Sequence, residues 1–402
     1  MMSRSVTMPF MTLNPSGGVR VALAALNEIA SEGIAVEIIA PDYADESPVD
    51  LHRNIRVSVL RAGGGRLRRL RYARALVQKL ASMDGLFIAG EYQTPLMISA
   101  AGLLGRRKRR LFYIIQADDR LAHIRYGSQP ILLKPLLHAA VEIGYRIPAY
   151  RISPSRATAD RVNAHIHEIV HPGVTRPFLQ PLRDTWRNER FVVGILPSRA
   201  PVKGFEFALR AFEDLRREGA STDFVVFDGD YETDYVPGWI ARFTEHARER
   251  GLDADIVSFY RGCDIFVMPS LSEGFGIPPL EAMGMGSAVV VTNCGGPMEY
   301  ACADENALVV PPADAGALRD AIRRLVANPE LRKKLIAEGH RTAHQFTEER
   351  WAKRCAAITM ELLRGAGRPA PPTASRRLPR AWVCGGVACR GSAALTSGPR
   401  SA

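Results

Sequence analysis

The order of elements along the chain predicts an α/β protein built on two doubly wound parallel sheets. Three observations carry that reading. Apolar, strand-like runs alternate with amphipathic helical runs from Val6 to about residue 360. Glycine and proline fall where one kind of run gives way to the next. One segment, Asp264-Ile-Phe-Val-Met-Pro269, reads as a buried strand. It leads through a glycine-rich turn to Pro278 and Pro279, and proline is tolerated in a helix's first turn.

Val6 to Leu13 reads as the first strand, and Asn14-Pro-Ser-Gly17-Gly18 turns the chain into a helix. There Val19, Leu23, Leu26 and Ile29 recur at helical spacing, Gly33 is the stop, and Val36 to Ala40 is the next strand. This is a βαβ unit with glycines at its phosphate-facing corner. An arginine-rich helix follows, with Leu67, Leu70, Ala73, Val77 and Leu80 on one side. Gly85 to Ala89, Leu111 to Gln116 and Tyr150 to Ser153 are further strands. Ile169-Val-His-Pro-Gly-Val174 punctuates the end of this set.

A second set begins with a strand at Phe191 to Leu196. Its helix runs from Gly204 to about Glu218, with Phe205, Ala208, Leu209, Phe212 and Leu215 on one face, and Phe224 to Phe227 is the next strand. Three helices close the chain, at about Ala315 to Ala327, Pro329 to Gly339 and Glu348 to Leu363. The expected domains are residues 1–172 and 173–340, then a final helix within 341–364 and a basic tail over 365–402.

Composition excludes several classes. The chain has 402 residues, enough for two or three domains, and its 47% hydrophobic and 24% charged content is ordinary for a globular protein. The longest apolar stretch, Pro95 to Gly105, is too short to span a bilayer. With no secretory-signal pattern at the start, the expectation is a cytoplasmic protein with reduced thiols. Six cysteines form no CxxC pair and no zinc spacing, and nine histidines form no HExxH, so no metal site is expected. The formal charge is +11, about half of it from the tail, where six arginines meet no acid. That tail has little to bury and reads as disordered. The arginine-rich helix has two readings. A solvated face over a core-facing side is the commoner arrangement, and peripheral attraction to anionic membrane is the sharper one. Nucleic acid is the weaker alternative, because no reading motif accompanies the charge.

The chemistry concentrates in Ser270-Leu-Ser-Glu273-Gly-Phe-Gly-Ile-Pro-Pro-Leu-Glu281. Glu273 falls on the loop at a strand's carboxyl end, where open α/β sheets bind ligands, and Glu281 falls in the first turns of the next helix. Gly274 and Gly276 let backbone N–H groups approach a phosphate. Two carboxylates beside an anion site make sense only if they accept hydrogen bonds from hydroxyls. A sugar nucleotide supplies both groups.

The stretch closely resembles the E-x7-E signature of retaining, family-4-type glycosyltransferases of the GT-B architecture. The resemblance continues through Ser287-Ala-Val-Val-Val-Thr292, Gly295-Gly296-Pro-Met-Glu299 and Asn306-Ala-Leu-Val-Val-Pro-Pro312, and covers roughly residues 14 to 360. It implies two Rossmann-like domains facing across a cleft, the donor held mainly by the second, and a last helix crossing back to the first. It also implies a nucleotide diphosphate sugar as donor, a glycan or lipid-linked acceptor, retention of configuration, and neither metal nor cofactor.

Carried over by residue, Lys203 matches the family's phosphate-binding lysine. Ser198 stands where the family commonly has an arginine, and Arg199, one residue out of register, is the candidate substitute. Gly17 and Gly18 resemble the loop that closes on the phosphates from the opposite domain. Phe275, Gly276 and Ile277 are expected backbone contacts, Glu281 an acceptor for ribose hydroxyls, and Glu273 a contact to the donor sugar or reaction centre. Gln116 stands where many relatives have a histidine, a form that looks like a subgroup associated with bacterial surface-polysaccharide and rhamnosyl transfer. Asp118, Asp119 and His123 fall near the expected cleft as sugar or acceptor contacts, although acids after a strand are most often helix caps. Two other classes stay open: a sugar-nucleotide epimerase that needs no acceptor, and an inactive nucleotide-sugar-binding protein.

Overall fold

Two parallel sheets organise the chain, each with a strand order that turns back on itself near its middle. The computed structural model describes residues 5–13, 16–43, 50–65, 67–106, 108–121, 130–182, 190–228, 232–244 and 255–365. The basic tail and His123 lie outside the described residues. The first sheet comprises β1 (Ser5–Pro9), β2 (Ala35–Pro41), β3 (Ile55–Leu60), β4 (Leu86–Ala89), β5 (Arg110–Ile114), β6 (Tyr150–Ser153) and β7 (Glu168–Ile169). Its order is β3-β2-β1-β4-β5-β6-β7, with Val6 of β1 opposite Val36 on one side and Leu86 on the other.

The second sheet comprises β8 (Phe191–Ile195), β9 (Thr222–Val226), β10 (Ala241–Arg242), β11 (Ile265–Met268), β12 (Ala288–Thr292) and β13 (Leu308–Val310), in the order β10-β9-β8-β11-β12-β13. The order turns back between β1 and β4 in one sheet and between β8 and β11 in the other. At such points the crossover helices leave on opposite faces, and a crevice opens beyond the strands' carboxyl ends. The two doubly wound sheets are the fold expected from the sequence.

Helix α1 (Gly17–Ser31) buries Leu23, Leu26 and Ile29 against β1 and β2. Helices α2 (Arg68–Ala81), α3 (Gln93–Leu104) and α4 (Lys134–Arg146) cover the opposite face of the first sheet, and the short α5 (Arg156–Arg161) follows β6. The second sheet carries α6 (Phe205–Arg217), α7 (Ile256–Gly262), α8 (Ile277–Gly284), α9 (Ala315–Ala327) and α10 (Pro329–Ala343). The last helix, α11 (Glu348–Leu363), is capped by Thr347 and packs on α1. It thus returns to the first domain.

The contacts that hold α11 there are specific. The Trp351 indole is buried and donates its N–H to the Val21 carbonyl at 3.0 Å. Arg354 forks onto both carboxylate oxygens of Glu168 at 2.7 and 2.6 Å, and Arg110 donates to the Leu362 carbonyl at 3.1 Å.

Two expectations need correction. Leu67 and Leu70 are not on the core side of α2, whose buried residues are Tyr72, Leu76 and Leu80. The helix is rotated because the Tyr72 hydroxyl reaches under the sheet to the Phe10 carbonyl at 2.6 Å. His167, in the loop just before β7, is half-buried. It stacks on Tyr150 at 4.3 Å, its Nδ1 accepts from the Arg151 amide at 3.1 Å, and burial pushes its pKa down to about 4. Cys263, Cys294 and Cys355 are free and buried, but Cys302 is disulfide-bonded, against the expectation of wholly reduced thiols. Among the described residues no helix is long and apolar enough to cross a membrane.

Replacing Trp351 with alanine is expected to destabilise the chain by about 3–5 kcal/mol, the usual cost of removing a buried aromatic ring. Trp351→Phe is expected to lose mainly the hydrogen bond, about 0.5–1.5 kcal/mol. Urea unfolding followed by circular dichroism reads both. An alanine variant as stable as the parent would show that α11 does not hold the first domain.

Candidate functional site

Past β11, residues 269–276 carry the chain over the switch point of the second sheet. Gly276 ends that loop in the left-handed region at φ 84° and is the N-cap of α8, whose first turn holds Pro278 and Pro279. The loop is tied down from below. The Glu273 amide donates to the Cys294 carbonyl at 3.3 Å, and the Gly296 amide donates back to the Glu273 carbonyl at 3.2 Å. A Cβ on Gly296 would collide with the carbonyl of Gly274. The Gly274 and Gly295-Gly296 motifs, separate in the sequence, are one packing arrangement.

Lys203 ends a 3₁₀ turn, Pro201–Lys203, just past β8. Its Nζ lies 2.8 Å from Glu273 Oε1, which also accepts from the Ser270 hydroxyl at 2.7 Å. The lysine is half exposed and the glutamate largely covered. Such a pair contributes little to stability, about 0–1 kcal/mol. Its value is positional. It sets an ammonium and a carboxylate side by side where the strand order reverses, and the ammonium can turn to an incoming anion at small cost.

Glu281 is buried on α8, and its Oε2 accepts from the Tyr260 hydroxyl at 2.9 Å. Burial pushes its carboxyl pKa upward, opposed by the Tyr260 hydrogen bond and by the charge of Arg20 from α1. Phe275 is buried and stacks on His171 at 5.5 Å, and the Tyr300 hydroxyl donates to the Gly276 carbonyl. Ile277 packs against the cores of both domains.

The first domain reaches the same place from the far side. Gln116, just past β5, donates from Nε2 to the Gly18 carbonyl at 3.2 Å. Its own carbonyl abuts Gly274 so closely that a Cβ there would overlap it. Thr158 donates to the Gly274 carbonyl at 3.3 Å, and Arg161 donates to the Ser272 hydroxyl at 3.1 Å. The structure therefore brings together Gly18, Gln116, Lys203, Glu273, Gly274, Phe275, Gly276, Ile277 and Glu281. Gly17 opens α1 beside Gly18.

Other candidates are engaged elsewhere. The Arg199 guanidinium pairs with Asp234 and Glu232 and lies over the Tyr235 ring at 4.4 Å. Asp118 is bound by Arg120 at 2.9 Å, and Arg120 also reaches Glu142 at 2.6 Å. Asp119 accepts from the Tyr145 hydroxyl at 3.1 Å. Burial pushes the Asp119 pKa up to about 7, with Tyr145 opposing and the charges of Asp118 and Glu91 adding. Glu91, at the end of β4, is pushed up to about 6 by burial while accepting from the Met11 amide at 3.1 Å. Among the described residues no group of three or more His, Cys, Asp or Glu could hold a metal ion.

Sequence reasoning missed Tyr260, Arg161, Thr158 and the role of Ser270. Only Ser270 lay in a legible motif. The others depend on which surfaces the two domains press together.

Residues 183–342 match the family model described as Glycosyl transferases group 1. The chain is an enzyme of the transferase class, and the match to that family lies over its second domain. It is 28% identical over 289 residues to the lipopolysaccharide core biosynthesis mannosyltransferase LpcC of Rhizobium leguminosarum bv. viciae, covering 64% of this chain and 80% of that protein. Two solved structures share its fold. The sucrose-phosphate synthase of Thermosynechococcus elongatus aligns with TM-score 0.71 at 16% identity, over 90% of this chain and 99% of the other. Anabaena HepE, in complex with UDP-glucose, aligns with TM-score 0.67 at 17% identity, over 89% and 99%.

Two outcomes follow for this glycosyltransferase. Gly274→Ala would drive a methyl group into the Gln116 carbonyl, so the domains must separate. Turnover is expected to fall at least about tenfold, since small misplacements in a two-sided site are costly, while melting of the isolated domains changes little. Wild-type turnover in this variant would mean the Gly274–Gln116 approach is not needed. The second concerns pH. The folded pKa of Asp119, about 7, lies above the ordinary carboxyl value of about 4. Its contribution to stability is present below pH 4 and is lost as pH rises through 7. Asp119→Asn removes this titration, so its melting temperature relative to the parent should rise between pH 5 and 8. A difference that stays flat with pH would refute it.

Proposed function

We propose that this enzyme transfers a hexose or deoxyhexose from a nucleotide diphosphate sugar to a glycan or lipid-linked acceptor, with retention of anomeric configuration and without a metal. The observation that carries the reading is the Lys203–Glu273 pair at 2.8 Å on the second sheet's switch point, facing Gly18 and Gln116 of the first. Departure of the nucleoside diphosphate concentrates negative charge on its terminal phosphate. Lys203 leaves Glu273 to meet that charge, with the amides at the start of α8 beside it. Glu273 is freed to accept from a sugar hydroxyl or to face the cationic glycosidic carbon. Glu281 accepts from the ribose hydroxyls.

In this scheme the bond from the glycosidic carbon to the phosphate oxygen breaks, and a bond to the acceptor oxygen forms on the same face. The acceptor's proton passes to the departing phosphate. The resemblance to a lipopolysaccharide core mannosyltransferase favours a cell-envelope glycan or its lipid carrier as acceptor. A cytoplasmic place, with peripheral contact to the inner membrane face, suits such an acceptor. Arg199, engaged by two carboxylates and Tyr235, is the weaker half of the phosphate clamp.

The first test is a panel of UDP-, GDP-, ADP- and dTDP-sugars, read by thermal stabilisation because a bound ligand raises stability by mass action. Product from the stabilising donor should appear only with an acceptor and should persist in EDTA. Epimerised donor without acceptor, or no turnover at all, would replace the reading. Lys203→Ala is expected to lower kcat roughly a hundredfold with donor affinity changing less. Glu281→Ala should weaken donor binding by about 1.5–3 kcal/mol. Full activity in the first, or parental affinity in the second with the fold intact, would remove that residue from the mechanism.

A further inference from the structure

Glu273 is flanked in the chain by Ser272 and Gly274, and the short helix α5 of the first domain holds both neighbours. Arg161 donates from Nη1 to the Ser272 hydroxyl at 3.1 Å, and the Thr158 hydroxyl donates to the Gly274 carbonyl at 3.3 Å. The Arg161 guanidinium also lies against the backbone of Gly295, where a Cβ would stand 2.9 Å from its Nη2. Two separate glycine turns of the second domain therefore meet one helix of six residues from the first.

A helix that short is not stable by propensity, so its position must come from its ends. At the start, the Ser155 hydroxyl accepts from the Thr158 amide at 3.1 Å. At the far end, the Arg161 carbonyl accepts from Arg120 Nη2. The same Arg120 guanidinium forks onto Asp118, from Nε at 2.9 Å and from Nη2 at 3.1 Å. Its Nη1 reaches Glu142 of α4 at 2.6 Å. The two carboxylates fix the plane of the guanidinium, and that plane aims a donor at the end of α5. A lysine has a single point charge and could not meet all three partners in this way. Asp118 lies just past β5, so the first domain's loop after β5 is joined through Arg120 and α5 to the loop that carries Glu273.

We propose that Arg120 and Arg161 are positioning residues for Glu273, and that the contacts Asp118–Arg120–α5–Ser272 hold its loop where the carboxylate meets the reacting sugar. The proposal rests on the transfer reading and adds to it a dependence of the donor loop on the opposite domain. A guanidinium-to-hydroxyl bond is charge-assisted and directional. A group at the reaction centre that is displaced even slightly loses rate steeply. In the transfer reading the nucleotide is held by Lys203, Glu281 and the amides of α8, none of which belongs to these contacts. Breaking them should therefore lower turnover and leave donor affinity in place.

The test compares the full-length parent with Arg120→Lys, Arg161→Met, Ser272→Ala and the double variant Arg161→Met, Ser272→Ala. Hydrogen–deuterium exchange reads the loop, through the Glu273 amide on the Cys294 carbonyl and the Gly296 amide on the Glu273 carbonyl. Exchange over residues 270–276 should quicken about tenfold in each single variant, while exchange in α9 stays at the parental rate. The UDP-, GDP-, ADP- or dTDP-sugar that stabilises the chain then serves as donor. Its kcat should fall about tenfold in each single variant while its Kd stays within about twofold. The double variant should be no slower than Arg161→Met, because both changes break one contact. Ser272→Ala removes a single hydroxyl and decides the matter where an arginine variant fails to fold. Parental loop exchange in Arg120→Lys or Ser272→Ala overturns the proposal. So do multiplying losses in the double variant, or a loss that falls on Kd with kcat unchanged. The exchange measurement needs no turnover. A chain whose loop loosens as expected but that turns over none of the donors refutes the transfer reading and supports the contacts.

Discussion

The backbone of Gly274 lies directly against the carbonyl of Gln116, and the rest of the site depends on that approach. It is the place where the carboxyl edges of two independently wound sheets touch. Any side chain at Gly274 would hold them apart. Around it the structure is over-determined: Thr158 and Arg161 bind the loop from one domain, and Gly296 packs beneath it from the other. The α11 strap adds to this, since Trp351 and Arg354 fix that helix to the first domain. A half-exposed ion pair such as Lys203–Glu273 gains little energy from its own geometry. Its position is inherited from these backbone contacts.

The fold was legible because the chain obeys local rules almost everywhere. The helix over Ala315–Ala327 and the one over Glu348–Leu363 begin at capping side chains, Asp314 and Thr347, and coincide with their expected bounds. Strands β11 and β12 are uninterrupted apolar runs, as strands covered on both faces must be. The elements that escaped notice lie at sheet edges or outer faces. β3 is an edge strand with no buried side chain, and β7 and β10 are two residues each. Helix α4 carries leucines on both sides, so its periodicity hides which side is buried. For α2 the leucines pointed the wrong way, because Tyr72 outweighs Leu70 when a hydroxyl can be satisfied under the sheet.

The site was legible where one segment holds both partners and obscure where two segments meet. Glu273, Gly274 and Glu281 could be assigned from a loop and a helix start. Tyr260 could not, because its hydrogen bond to Glu281 spans 21 residues and two elements. Asp118 and Asp119 had the right address after β5, yet their partners, Arg120 and Tyr145, show carboxylates already satisfied by protein groups.

Glu281 shows how the two-domain construction bears on the proposed ribose site. A buried carboxylate is costly unless hydrogen bonds replace its lost water. One of its oxygens takes the Tyr260 hydroxyl, and the charge of Arg20, from the opposite domain, favours its ionised form across the cleft. Burial still dominates, and the carboxyl is held above its ordinary pKa. A ligand that brings two adjacent hydroxyls to this oxygen set supplies the hydrogen bonds that burial removed, and it does so only while α1 and α8 face each other. On the proposed reading, recognition of the nucleoside is then coupled to contact between the domains.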